Sequence, residues 1–299
     1  MWRRRVAATP PSDWRTLVAS AEEADGAATE KLATLHAALA SMPNASPHLL
    51  LDVNFLRCCL RAKAYDVAKA KQLAINYFTF RKRVAWADDA SPTSRPVRAS
   101  SVERELRTGF NLLLPGRDAY GHVVLTQRME LLSSTAGGPT VESQQRAGYY
   151  LLHRVLQRTV AQTAGIALVL DFRGFSWRAF ARIGLGDLQR GVAMLQDCFP
   201  ARLGVIYVLH PPTWLRNVVA LLRPFLRSDS LQQKFVLCAD AEALHEHVPA
   251  AMLPAGVEKW DGTASFDWDG LVDGWIAQEA HLERLDPASL LSLSHEERV

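Results

Sequence analysis

Gly165-Ile-Ala-Leu-Val-Leu-Asp-Phe-Arg-Gly-Phe175 is the stretch that decides the fold. Its apolar run has the length of a strand, not of a membrane span, and residues 166–172 are predicted as one. Upstream, residues 141–164 carry Tyr149, Leu152, Leu156 and Val160 on one helical stripe that Gly165 closes. Downstream, residues 185–199 repeat the helical spacing with Leu188, Val192, Leu195 and Phe199, and residues 205–209 form another apolar strand. Pro211-Pro212 opens a helix to residue 226. Residues 234–238 read as a strand and residues 241–248 as a short helix. Further upstream, residues 115–121 are turn material, residues 123–128 a strand and residues 133–140 a loop. Strands alternating with helices predict an α/β fold with a largely parallel sheet.

The first third differs. Residues 13–42 carry Trp14, Leu17, Leu32, Leu35 and Leu39 in an Ala/Glu-rich setting, and Pro43-Asn-Ala-Ser-Pro47 ends that helical reading. Leu49, Val53, Leu56 and Leu60 then share a stripe, and Asp66 is placed to cap a further helix. The organisation expected is a flexible basic tail (1–12), a helical N-terminal lobe (13–87), a Pro/Ser/Asp-rich linker (88–101), an α/β domain (102–280) and a C-terminal tail (281–299). The basic start reads as a solvated tail rather than a transit signal.

Composition narrows the function. The 299 residues are 48% apolar and 22% charged, which supports a sizeable core. Mean hydropathy is −0.04 and no run of 18 apolar residues occurs, which argues against a spanning helix. A net charge of +3 is too mild to argue for nucleic acid. Cys58, Cys59, Cys198 and Cys238 lack metal-ligand spacing, so a reduced, cytoplasmic protein without metal or cofactor is expected.

Chemical motifs are sparse. No GxGxxG, GxxxxGK, HExxH or GxSxG pattern is present. His245 and His247 sit two apart, so on a helix they face different ways. Ser176 follows a strand end but has no identifiable base, and Asp171 reads as a cap or ion-pair partner. The acidic positions Asp261, Asp267, Asp269 and Asp273 lack calcium-loop order and alternate with Trp260, Phe266, Trp268 and Trp275, which suits packing of a C-terminal segment. The expectation is a protein that is not an enzyme. The informative feature is the helix over residues 213–226, whose apolar surface runs nearly all the way round. Such a helix is either core or a lid with two apolar surroundings.

Four blocks then carry a resemblance. They are Leu60-Arg-Ala-Lys-Ala-Tyr-Asp66 with Asn76-Tyr-Phe-Thr-Phe-Arg81; Gly116-Arg-Asp-Ala-Tyr-Gly121 before a valine-rich strand; Asp171-Phe-Arg-Gly-Phe175; and Leu195-Gln-Asp-Cys-Phe-Pro200, with Val205 to Pro212 and Arg223-Pro-Phe-Leu226. In order and spacing they resemble the CRAL-TRIO family over roughly residues 50–275, most closely its tocopherol and retinaldehyde carriers. The resemblance implies a helical lobe on an α/β lipid-binding domain. It also implies a non-enzymatic carrier that encloses one hydrophobic molecule behind a gate helix, residues 213–226, and transfers it between membranes. The family's closing "LPxEYGG" is Leu253-Pro-Ala-Gly-Val-Glu-Lys-Trp-Asp-Gly262 here, an altered loop.

Strand parity offers Ile166, Leu168, Leu170, Ile206, Val208 and His210 as pocket residues. Motif position adds Ile183, Leu195, Phe199, Val218, Leu222 and Phe225. For contact with an anionic membrane, Arg61 and Arg202 match the basic cluster with which a family member meets phosphoinositides. Gly204, Asp229 and Gln233 fall where further cations would be; Lys234 is one place from the last, and Arg216, Arg223 and Arg227 are the substitutes. The partners expected are a lipid-like ligand and, transiently, an anionic membrane surface, with no nucleic acid. The alternatives are a scaffold module with a collapsed pocket and, further off, a lipid esterase.

Overall fold

Apolar residues three and four apart build the first helices of the computed structural model, which describes residues 28–42, 53–84, 97–133, 138–215, 217, 234–255, 260, 262–263, 265–282 and 284. Helix α1 (Thr29–Ala40) buries Leu35 and Leu39, α2 (Val53–Ala62) buries Phe55, Leu56 and Leu60, and α3 (Val67–Arg83) buries Leu73, Tyr77 and Phe80. Asp66 caps α3, its carboxylate accepting from Lys69 N at 3.0 Å. The short α4 (Glu103–Arg107) leads into the sheet.

The sheet has five strands in the order β1 (Asn111–Arg117), β2 (Val123–Arg128), β3 (Ile166–Asp171), β4 (Leu203–Leu209) and β5 (Phe235–Cys238). β1 pairs antiparallel with β2 and all other pairs are parallel. The parallel core matches the α/β expectation; β1 was not anticipated. Pro115 and Gly116 read as turn residues, yet they lie inside β1, at a register shift between Leu113 and Arg117. An edge strand tolerates a proline at such an irregularity because no neighbour needs its missing N–H.

The single helix expected over 141–164 is two. α5 (Val141–Leu156) opens on a Thr140/Ser143 capping box, and α6 (Thr159–Ala164) follows. At the break, the Leu156 carbonyl accepts from Gln162 Nε2 at 2.7 Å, so a side chain replaces the helical N–H. Gly165 then turns the chain with φ +99°, closing α6 as expected. Beyond β3 come α7 (Trp177–Phe180), capped by Ser176, and α8 (Leu185–Ala193), which widens into a π turn over Met194–Cys198. α9 (Ala241–His245) and α10 (Trp268–Leu282) complete the described chain. Trp268 donates to Leu106 O at 2.7 Å, and Glu279 accepts from Tyr150 OH and Ala99 N, so the aromatic-acidic C-terminal segment is seated on the body. One continuous apolar core runs from Leu35 in α1 through the sheet to Trp275 in α10.

Candidate functional site

Side chains alternate across a strand, so β3 sends Ile166, Leu168 and Leu170 to one face. β2 adds Leu125 and Gln127 to that face, β1 adds Asn111, and β4 adds Ile206. Opposite stand Gly148, Leu151 and Leu152 of α5 and Leu188, Gly191 and Val192 of α8, then Met194, Leu195 and Phe199. Between these walls lies a cavity of about 290 Å³. α8 is amphipathic yet has no buried residue, because its apolar stripe faces this space. At one end Trp214 lies 6.2 Å from Phe172, 6.1 Å from Phe175, 5.3 Å from Phe180 and 5.7 Å from Trp177 between ring centres. Trp177, 53% exposed, extends that aromatic end to the surface.

The wall has two polar places. Gln145 joins α5 to α8: its Nε2 donates to Asp187 O at 2.7 Å and its Oε1 accepts from Arg190 Nε at 2.9 Å. Asn111, Gln127 and Gln144 form an amide chain between β1, β2 and α5. Among the described wall residues the only titratable side chain is Asp187, which is paired with Arg190.

Seven of the sequence-derived pocket positions stand on this wall: Ile166, Leu168, Leu170, Ile183, Leu195, Phe199 and Ile206. Val208 is buried but does not line the cavity. His210 is corrected outright. β4 ends at Leu209, and His210 takes a left-handed backbone, φ 51°, which breaks the alternation that parity assumed. Its Nδ1 lies 2.9 Å from Asp171 Oδ1 and its Nε2 3.3 Å from Arg173 Nη2. Val218, Leu222 and Phe225 lie outside the described residues, as does most of the expected gate helix; Trp214 and Leu215, at its start, are on the cavity wall. Sequence reasoning missed apolar wall residues such as Leu125, Leu151, Leu188 and Trp214, and it missed all of the amides. Gln127 shares parity with Leu125 in a strand already recognised, and Gln145 falls on the stripe through Gly148 and Leu152. Asn111 was hidden with β1.

The basic set divides. Arg61 is only 8% exposed and donates to Gln162 Oε1, so it faces the interior and is not a surface contact. Arg202 is exposed. Half-buried Lys234 donates to Leu203 O, and burial first, then Arg202 and Lys63, lower its pKa. These three cations gather where β4 and β5 begin. Arg216, Arg223 and Arg227 lie outside the described residues.

On the other sheet face, buried Asp118 accepts from His122 Nδ1 at 2.8 Å and from Tyr207 OH at 2.9 Å. Burial, reinforced by Asp118, pushes the Tyr207 phenol up. The Gly116-to-Gly121 block thus serves packing.

The family model for the CRAL/TRIO domain matches residues 107–259, just over half of the chain and all of the sheet and cavity wall just described.

The chain belongs to the CRAL/TRIO family.

It is similar to the human alpha-tocopherol transfer protein-like protein, 30% identical over 223 residues that cover 74% of this chain and 61% of that relative. Rat Clavesin-1 is 25% identical over 217 residues, covering 68% of this chain and 58% of the relative. The match thus spans about three fifths of the length of these relatives. Among solved structures, Sfh5 superposes with a TM-score of 0.50 at 13% identity, covering 92% of this chain and all of that one. That likeness supports the CRAL/TRIO fold. No helix among the described residues is long and apolar enough to cross a membrane.

Proposed function

We propose that this CRAL/TRIO chain is a carrier that holds one water-insoluble molecule in the cavity and exchanges it with membranes. The observation that carries the reading is the cavity, walled by apolar side chains from four strands, β2 to β5, and from α5, α7 and α8. Each 100 Å² of ligand surface taken out of water there contributes about 2.5 kcal/mol. The name of one relative, alpha-tocopherol transfer protein-like, points the same way. An open cavity argues against a collapsed-pocket scaffold. Among the described wall residues the one titratable group, Asp187, is already paired, which argues against an esterase.

Exchange needs a door and a landing surface. The aromatic end, with Trp177 exposed, suits insertion into the interfacial layer of a bilayer. Lys63, Arg202 and Lys234 suit anionic headgroups. Residues 213–226, whose Trp214 stands beside the cavity, are the proposed gate, and the protein works in the cytoplasm with transient membrane contact.

The test is titration with diphenylhexatriene, a fluorescent hydrocarbon. One site per chain is expected. Leu188→Trp, which projects bulk from α8 into the cavity, should weaken binding at least about tenfold with no loss of thermal stability. Trp177→Ser should slow transfer to anionic vesicles while leaving binding intact. Absence of any probe binding to the wild type would sink the carrier reading.

A further inference from the structure

The amide chain on the cavity wall has a direction, and that direction specifies the cargo. Thr108 Oγ1 donates to Glu105 O at 2.6 Å, so it can only accept from Gln144 Nε2, 3.0 Å away. Gln144 therefore turns its Oε1 toward Asn111, whose Nδ2 lies 3.2 Å from that oxygen and 3.0 Å from the Gln144 carbonyl. A backbone carbonyl only accepts, so the nitrogen of Asn111 must face Gln144 and its Oδ1 must face β2. There it accepts from Gln127 Nε2 at 3.0 Å. Two anchors outside the amides, Glu105 O and Gln144 O, thus fix every flip along the chain.

One strong group is left over. Among the described residues nothing meets Gln127 Oε1, and Gln127 lines the cavity. Asn111 and Gln144, 3% and 2% exposed, hold it in place from behind. In front, Gly148 has no side chain to cover the amides; a Cβ there would sit 3.5 Å from Asn111 Oδ1. No Lys, Arg or His stands on the described wall to neutralise an anionic headgroup.

We infer that the cargo is an electrically neutral lipid whose polar group is a hydroxyl, donating to Gln127 Oε1. An apolar described wall whose one carboxylate, Asp187, is paired with Arg190 and whose amide chain leaves Gln127 Oε1 over favours an alcohol or phenol over a hydrocarbon or ether, because only the hydroxyl satisfies that oxygen when water leaves. It rejects a carboxylate or phosphate, which would bring negative charge against an acceptor in an apolar cavity. The inference rests on the carrier reading and adds to it the chemistry and place of the cargo's polar end.

The experiment displaces bound diphenylhexatriene with 1-dodecanol, its methyl ether and dodecanoate at pH 8. Affinities are divided by each compound's octanol–water partition. In the wild type the alcohol should exceed the ether about tenfold, the ordinary worth of one buried hydrogen bond. Dodecanoate should be the weakest of the three. Gln127→Leu should erase the alcohol's advantage while retaining diphenylhexatriene. Gln127→Met repeats the measurement with an unbranched chain, and the wild-type preference stands as a readout independent of either variant. Equal affinities for alcohol and ether, a preference that survives Gln127→Leu, or tightest binding of dodecanoate each overturns the inference. If diphenylhexatriene still binds in those cases, the carrier reading is untouched; if it does not enter the wild type, that reading fails first.

Discussion

Asp171 shows how much one side chain can organise. Its Oδ1 accepts from Arg173 N at 2.9 Å and lies 2.9 Å from His210 Nδ1, and its Oδ2 accepts from Trp260 Nε1 at 2.8 Å. A carboxylate serves three donors without conflict; an amide cannot, because its NH₂ must face one of them. Asp171→Asn is expected to cost about 2–4 kcal/mol, read as a lower urea midpoint at unchanged slope. Glycines give a contrasting pair. A Cβ on Gly165 would lie 2.7 Å from Arg202 O at φ +99°, whereas one on Gly274, within α10, meets nothing within 4 Å. Gly165→Ala should therefore destabilise by about 2 kcal/mol and Gly274→Ala stabilise by about 0.5–1 kcal/mol, both measured by urea unfolding. Lys234 supplies a pH dependence. Burial, with Arg202 and Lys63 behind it, puts its folded pKa below the ordinary 10.5. As pH rises toward 10.5 this lysine sheds its proton before an exposed one does. Binding to anionic vesicles should weaken through that window, and Lys234→Met should flatten the change. The native state binds fewer protons there than the unfolded chain, so Lys234 also makes stability rise with pH over the same window.

α8, together with Trp214 and Leu215, walls the cavity rather than packing as core. α8 presents Leu188, Val192 and the following Leu195 to the cavity and is tied to α5 through Gln145. A helix with an apolar stripe against open space gains less from packing than β3, whose Ala167 and Val169 are fully buried. Amides of α8 are therefore expected to exchange hydrogen faster than those of β3 in the free protein and to become protected once a lipid is loaded. Equal slow exchange in both states would mean that neither wall opens. Trp214 reports on the same event. It contacts four aromatic rings and lines the cavity, so Trp214→Phe should remove most of the change in tryptophan emission on loading.

The helical lobe and the sheet share more than a boundary. Tyr149 OH donates to Tyr77 OH at 3.0 Å, Tyr77 OH lies 2.9 Å from His153 Nε2, and His153 meets Phe199 edge-on at 5.0 Å. Phe199 is also a wall of the cavity. The lobe thus contacts, through one aromatic box, a side chain that walls the cavity. A single cooperative calorimetric transition is expected, and a ligand at a hundred times its Kd should add about 2.7 kcal/mol and move that whole transition up by several degrees. Two separate peaks, of which the ligand shifts one, would show that the lobe is an independent unit.

Periodicity along the chain was enough to place β2 to β5, the helical stretches between β2 and β4 (though not the break after Leu156), the Asp66 cap and the α/β class, because local hydrophobic spacing drives each of those elements. Parity within β3 was equally sound, and it put Ile166, Leu168 and Leu170 on one face. What only the tertiary structure decided depends on neighbours distant in sequence. β1 is a strand because β2 supplies its partners despite Pro115. His210 leaves the cavity because its backbone turns after Leu209 to meet Asp171. Arg61 is interior because Gln162, a hundred residues on, receives it. The directional amide chain joins Thr108, Asn111, Gln127 and Gln144 across a strand pair and a helix, a proximity that no local pattern encodes.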